Sequence, residues 1–501
     1  MQTNVTYWLD DTVNRFPNKI GFVDEYGMLT FSEIRNYSLK IATVLTNEKL
    51  FKKPIAIYMD KNIYELIAFL GVAYSGNFYS PIDSSMPVSR IEKILGAFEP
   101  EIIITSRALK ENMDFDIGKA KVLIWEELVQ ENINEIIVEK QRKKCCDTDL
   151  LYVLFTSGST GVPKGVTICH QSVIDYIDWV ESTFQIDEKT IFGNQAPFYF
   201  DNSIFDIYST IKTGATLHII PHNLFSWPIK LLEYIARNEI NTIFWVPSAM
   251  ILVSKLKALS QVNLNGILKQ VLFCGEVMPV KHLNVWRKYI PDALYANLYG
   301  PTEITDVCTY YIVDREFNDE ESLPIGKPLP NTDIQILDDD NHLAGLGEIG
   351  ELCVRGTCLS KGYYNNPEKT KQVFVQNPLN TSYPEYIYKT GDLVKVNELG
   401  ELIYMGRRDF QIKHMGHRIE LGEVETAISS IGHISMNCCL YDEKKDKIIA
   451  FLVEKITIND LNEQLKNKIP EYMLPNKLIV MDSMPLNVNG KIDRVKLKEL
   501  L

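Results

Sequence analysis

Residues 155–165 read Phe-Thr-Ser-Gly-Ser-Thr-Gly-Val-Pro-Lys-Gly, and they constrain this chain more than any other stretch. An apolar run over 150–155 predicts a buried strand leading in, and 166–184 reads as a helix leading out. Between them Thr156, Ser157, Gly158, Ser159, Thr160 and Gly161 offer backbone N–H groups and hydroxyls with little bulk, and Lys164 adds a positive charge. Inward-pointing donors with one cation suit a phosphate or pyrophosphate. The string does not fit Gly-x-x-x-x-Gly-Lys-Ser/Thr, so it is not the common nucleoside-triphosphate loop. A flexible surface loop is the plainer alternative, because Gly and Ser punctuate many turns.

Around this loop strand and helix patterns alternate. Strands are expected at 20–23, 28–30, 54–59, 101–105, 216–220, 242–246 and 269–274, and helices at 63–74, 87–98 and 228–237. A further helix runs to about residue 45, started by Thr30 with Glu33 at capping-box spacing or by Ser32. Such alternation implies parallel sheets with helices on both faces. The charged stretch 139–149 reads as a loop. From about residue 323 the pattern turns to β, with strands at 333–337, 350–355 and 401–405. A boundary is expected near Arg408 and Asp409. Beyond it the order β-α-β-β-α-β suggests a small α+β unit, with helices at 422–430 and 459–468 and strands at 448–453 and 478–481.

The 501 residues allow roughly two to four domains with ample core. A net charge of −13 argues against a broad nucleic-acid surface. Nine cysteines, none in Cys-x-x-Cys spacing, signal neither zinc nor a redox motif. With no basic, apolar leader and an apolar run at 66–74 too short to span a bilayer, the expectation is a cytoplasmic protein with reduced thiols and no integral membrane segment.

Three more strings carry chemistry. Asn297-Leu298-Tyr299-Gly300-Pro301-Thr302-Glu303 places a flat ring and a hard oxygen ligand beside a turn. Thr390-Gly391-Asp392, followed by Tyr404 and Arg407, offers a carboxylate that can accept from both hydroxyls of a diol, though a plain β-turn reads equally well. Asn489-Gly490-Lys491 makes a tight turn that presents Lys491, in isolation an ordinary surface lysine.

In this order and spacing, over essentially the whole chain, the strings resemble the adenylate-forming superfamily of acyl-CoA ligases, luciferases and nonribosomal adenylation domains. The resemblance implies a large N-terminal domain, 1–408, of doubly wound parallel sheets with a small β subdomain, and a small α+β C-terminal lid domain, 409–501. It implies ATP with Mg²⁺. Tyr299 would stack on adenine beside Gly275 and Glu276, Thr302 would meet the α-phosphate, Glu303 would hold the metal, and Asp392 the ribose. Asp409 would be the hinge and Lys491 the catalytic lysine, bridging the substrate carboxylate and the α-phosphate. The string 416–421 would face the site during thioester formation.

Asn194 to Asp201, read Asn-Gln-Ala-Pro-Phe-Tyr-Phe-Asp, bears on the acid that is activated. In amino-acid-activating members the Asp receives the α-ammonium, while an N-cap for the following helix is the other reading of Asp201. This string, Leu272 to Val277 and Gly406 to Lys413 resemble those of the D-alanine–D-alanyl carrier protein ligases. The resemblance puts Asp201, Asn202, Phe205, Phe244, Cys274, Leu298, Asp306 and Lys491 around the amino acid, with Cys274 favouring the D form. Phe205 and Phe244 narrow the pocket to a small side chain. Asp306 departs from the pattern: it either points to solvent or binds a hydroxyl or second amine. The expected substrate is a small amino acid, D-alanine first, with serine, glycine or a small diamino acid as alternatives and an acyl- or aryl-CoA ligase as the rival class. With no Asp-Ser-Leu attachment site in the sequence, the expected acceptor is the phosphopantetheine of a separate carrier protein.

Overall fold

Two largely parallel sheets form the bulk of the molecule. The computed structural model describes residues 2–158, 162–408, 411–432, 434, 436–485 and 492–501. In the first sheet the strands Leu294–Tyr299, Gln270–Phe273, Thr242–Trp245, Ile191–Asn194, Thr216–Ile219 and Ile20–Val23 lie in that order, each parallel to the next. Antiparallel strands close both edges. In the second, Lys121–Ile124, Ile102–Thr105, Pro54–Met59, Phe78–Asp83 and Leu150–Thr156 are parallel. Their sequences are apolar runs such as Ile102-Ile103-Ile104, buried on both faces, as parallel strands under helices must be. Both sheets contribute to one large core, from Phe22 and Leu217 to Ile57 and Leu154.

The capping box forms as expected: Glu33 N donates to Thr30 Oγ1 at 3.3 Å, and Thr30 N donates to Glu33 Oε2 at 2.8 Å, opening the helix Phe31–Asn47. Other expectations need correction. Residues 166–169 are not the start of a helix. Lys164–Cys169 is a strand, antiparallel to Leu150–Thr156 with Phe155 opposite Gly165, and the helix is His170–Phe184. Val166, Thr167 and Ile168 favour the extended form, and pairing with a buried strand decides the matter. The Gly/Ser/Thr stretch thus lies between two strands that pair with each other. A Cβ on Gly158 would sit 2.0 Å from the Val162 carbonyl oxygen, so only glycine fits there. Residues 139–149 are not all loop, because Glu135–Arg142 is a helix capped by Asn134, and Arg142 binds Asp10 and Glu139. The strand Phe78–Asp83 carries Pro81, which hides it in sequence. It survives because Pro81 lies beyond the point where pairing to Leu150–Thr156 ends.

Residues 332–407 form a five-stranded antiparallel sheet. After residue 410 the first expected strand is a hairpin, Gln411–His414 with His417–Glu420, turning through Met415 and Gly416. The helix Leu421–Ser429 and a three-stranded sheet follow, with their own core around Val424, Ile448 and Leu461. No helix among the described residues is long and apolar enough to cross a membrane.

Candidate active site

The strand Leu150–Thr156 ends at a cavity lined by Ser157, Asp201, Gly275, Gly300, Thr302 and Asp392. Its volume is about 60 Å³, far below the ~300–1,000 Å³ of small-molecule pockets. The hairpin after residue 410 fills the remainder. Ser157 Oγ donates to the Arg418 carbonyl oxygen at 2.7 Å and accepts from Glu420 N at 3.2 Å. Gly158 N donates to Glu423 Oε2 at 3.2 Å, and Lys164 Nζ stands 3.2 Å from Glu420 Oε1. Glu423 Oε1 also meets Arg90 Nη1 at 2.7 Å, with both side chains 5% exposed or less. Carboxylates of the C-terminal segment therefore occupy two donors of the described part of this region, Gly158 N and Lys164 Nζ. Burial, then Arg418, holds the Lys164 amine below its usual range. Thr156 Oγ1 is buried without a hydrogen-bond partner among the described residues. Ser159, Thr160, Gly161, Asp409 and Lys491 lie outside the described residues.

The string 297–303 runs off the end of the strand Leu294–Tyr299 into the short turn Thr302–Ile304. Asn297 Nδ2 donates to the Pro324 carbonyl oxygen at 2.8 Å, fixing the strand end. The Tyr299 hydroxyl donates to Asp392 Oδ2, and Arg407 Nη1 holds Asp392 Oδ1 at 2.8 Å. Lys413 Nζ stands 5.2 Å from the centre of the Tyr299 ring, and the Tyr404 ring lies 6.3 Å away. Glu303 is fully buried. It accepts from Tyr363 Oη at 2.7 Å and from Arg418 Nη1 at 2.5 Å. Burial pushes its carboxyl up, but Arg418 and Lys164, with the Tyr363 hydroxyl, outweigh this and bring it down to about 2. Gly275 lines the cavity at φ 97°. The Glu276 carboxylate does not reach it, accepting instead from Ser248 N at 2.8 Å and Gly416 N at 2.7 Å.

Asp201 caps the helix Asn202–Thr213 and also faces the cavity, so its two readings coexist. It accepts from Asn202 N at 3.0 Å and from the Thr302 hydroxyl, and burial raises its pKa. Phe205 and Phe244 pack on each other with ring centres 4.6 Å apart, and they, Cys274 and Leu298 are buried in the large core and do not line the cavity. Asp306 does not point to solvent: it is 1% exposed and accepts from Tyr176 Oη at 2.7 Å. Gly300 packs so tightly on the Asp306 carbonyl that the chain after the turn folds back under the cavity wall.

One cavity thus gathers residues from five sequence strings, joined by the hairpin that carries Arg418. Arg90, Tyr176, Tyr363 and Glu423 escaped the sequence reading. Arg90 sits alone on an amphipathic helix, and nothing local marks a residue whose partner is Glu423.

The family model described as AMP-binding enzyme matches residues 9–364. A D-alanine–D-alanyl carrier protein ligase of Listeria monocytogenes is 34% identical over 516 residues, covering 99% of this chain and 99% of that protein. Zwittermicin A synthase ZmaJ of Bacillus cereus is 31% identical over 507 residues, covering 99% and 94%. The Vibrio cholerae adenylation domain AlmE, solved in complex with glycyl-adenosine-5'-phosphate, superposes with a TM-score of 0.84 at 20% identity, covering 100% and 98% of the two chains, a likeness of fold. By motif, fold and sequence similarity, the chain belongs to the AMP-binding enzyme family.

Proposed function

We propose that this protein activates a small amino acid with ATP, forming an aminoacyl adenylate and pyrophosphate, and then passes the aminoacyl group to the phosphopantetheine thiol of a separate carrier protein. One observation carries the reading: Asp201, a buried carboxylate suited to an α-ammonium, opens on the same cavity as Ser157, Thr302 and Asp392. A fatty or aryl acid would leave Asp201 without a cation, which favours this reading over an acyl- or aryl-CoA ligase. The names of the relatives put D-alanine first among the small amino acids.

In the first step a substrate carboxylate oxygen attacks the α-phosphorus and pyrophosphate leaves in line. Residues 156–161 and Lys164 would hold the departing phosphates, with Lys491 bridging the reacting groups. Asp392 and Arg407 would fix the ribose, and Tyr299, Tyr404, Asn297 and Gly275 the adenine end. Glu303 suits Mg²⁺ as a carboxylate on the turn that carries Thr302, available once Arg418 withdraws from it. Magnesium is commonly held by one or two carboxylates plus substrate phosphates. When bound, it would neutralise charge on the phosphates. In the second step the thiol attacks the adenylate carbonyl and AMP leaves.

Residues 409–501 would act as a lid on the core 1–408, turning at Asp409. The observed arrangement suits the second step. Glu420 and Glu423 cannot share the loop with pyrophosphate, and Arg418 occupies Glu303. A cytoplasmic location fits a substrate and nucleotide of the cell interior. The test is amino-acid-dependent ATP–pyrophosphate exchange, with acetate and benzoate as controls. Exchange with a small amino acid supports the reading, and a response to the controls alone overturns it.

A further inference from the structure

We propose that Lys61 is a positioning residue for amino acid activation, its ammonium holding the loop 195–200 that sets Asp201 at the cavity. The inference rests on the reading of Asp201 as the α-ammonium partner. Lys61 comes from the second sheet: it follows the strand Pro54–Met59 and precedes the helix Ile63–Tyr74. Its Nζ donates to the Gln195 carbonyl oxygen at 3.1 Å and stands over the Phe198 ring, 5.3 Å from its centre. One cation thus grips the loop at two points, by a charge-assisted hydrogen bond and by a ring face. Among the described residues, the other backbone hydrogen bonds of 195–200 run within the loop or to Ser203 on the helix that follows. Lys61 is therefore the tie between the backbone of that loop and the second sheet.

The surroundings of Lys61 keep it charged and in place. Asn194, the last residue of the strand Ile191–Asn194, donates from Nδ2 to Asp206 Oδ2 at 2.8 Å, and Asp206 lies on the helix Asn202–Thr213 that Asp201 caps. The other Asp206 oxygen is buried without a partner among the described residues, and Asn194 and Lys61 are the groups that favour its charge. Burial brings the Lys61 amine down to about 8 against Asp206, Glu65 and Asp83, so it is largely protonated at neutral pH. Phe198 is buried and packs edge-on against Phe69 of the helix Ile63–Tyr74, with ring centres 6.0 Å apart. Lys61, Asn194, Phe198 and Asp206 thus brace the segment between the strand and Asp201, yet none of them lines the cavity. Without the ammonium the loop is free to shift, and Asp201 with it, while the groups around the nucleotide keep their places. A misplacement of about 1 Å caused far from the chemistry can cost about a hundredfold.

The test is ATP–pyrophosphate exchange by the intact chain with D-alanine, L-alanine, glycine and serine, in the wild type and in Lys61→Met, which keeps an apolar stem and removes the ammonium. With the best of these substrates, Lys61→Met is expected to raise the amino acid KM about tenfold, as for loss of a hydrogen bond from a charged group, with the ATP KM unchanged. In an Asp201→Ala background the same change should add less than about twofold, because a residue that acts through Asp201 then has nothing to position. A lysine that serves stability alone would lower Tm and the active fraction, reducing kcat with both KM values unmoved. That result overturns the proposal, as does an equal rise in both KM values or full additivity with Asp201→Ala. If Lys61→Met does not fold, Lys61→Gln, shorter and uncharged, decides: a raised amino acid KM supports the proposal and a wild-type value overturns it. A wild type that exchanges with no amino acid sinks the underlying reading, and this one with it.

Discussion

Arg418 Nη1 lies 2.5 Å from Glu303 Oε2, joining the hairpin after residue 410 to the end of the string 297–303. Both side chains are largely shielded from water, and the guanidinium is the strongest influence holding Glu303 ionised against burial. The same carboxylate is the one proposed to hold Mg²⁺, so the pair marks a choice between two states.

Arg418→Ala is expected to shift that choice away from the docked hairpin. A hydrogen bond between charged groups contributes about 1.5–3 kcal/mol, so aminoacyl transfer to a carrier thiol should fall about 10- to 100-fold. ATP–pyrophosphate exchange should persist. Equal loss of both activities would show that Arg418 does not act through docking alone.

Arg90 and Glu423 form a buried pair between the core and the C-terminal segment. Removing one member of such a pair commonly costs about 3–5 kcal/mol, because the other charge stays buried alone. Glu423→Gln should therefore loosen the segment and expose the region around residue 409 to limited proteolysis. A cleavage rate like the wild type's would deny the pair this role.

Asp201→Ala is expected to weaken amino acid binding by about 2–4 kcal/mol while the KM for ATP changes little. Both constants come from the same exchange assay. An unchanged amino acid KM removes Asp201 as the ammonium partner.

Asp206 offers a pH test. Burial pushes its carboxyl up to about 7, against opposition from Asn194, whose Nδ2 donates to it at 2.8 Å, and from Lys61. The folded protein then keeps a proton that the unfolded chain loses near pH 4. Stability is full below that value and declines by roughly 1.4 kcal/mol per pH unit as pH rises towards 7. Asp206→Asn should flatten the decline, raising Tm relative to wild type at pH 8 more than at pH 4. Parallel Tm curves for the two proteins would contradict it.

Much of the fold could be read from the chain because its parallel strands are apolar runs and its helices carry local caps, as Thr30 and Glu33 show. What escaped depends on partners far away in sequence. Lys164–Cys169 is extended because Leu150–Thr156 pairs with it, a contact no local pattern announces. Asp306 drew attention as an odd acid in an apolar setting, but its burial follows from the turn at Gly300 and the hydroxyl of Tyr176. Arg90 and Glu423 are 333 positions apart, and neither carries a mark of the other.

The carboxylates resting on Gly158 and Lys164 have a thermodynamic consequence. A triphosphate bound for those donors competes with a tethered ligand of the protein's own making. Its apparent Kd is then the intrinsic one divided by the fraction of molecules whose C-terminal segment has let go. Weakening the tether, at Glu420 or Glu423, should tighten nucleotide binding even as it slows the later step, so affinity and turnover are set against each other by the same two side chains.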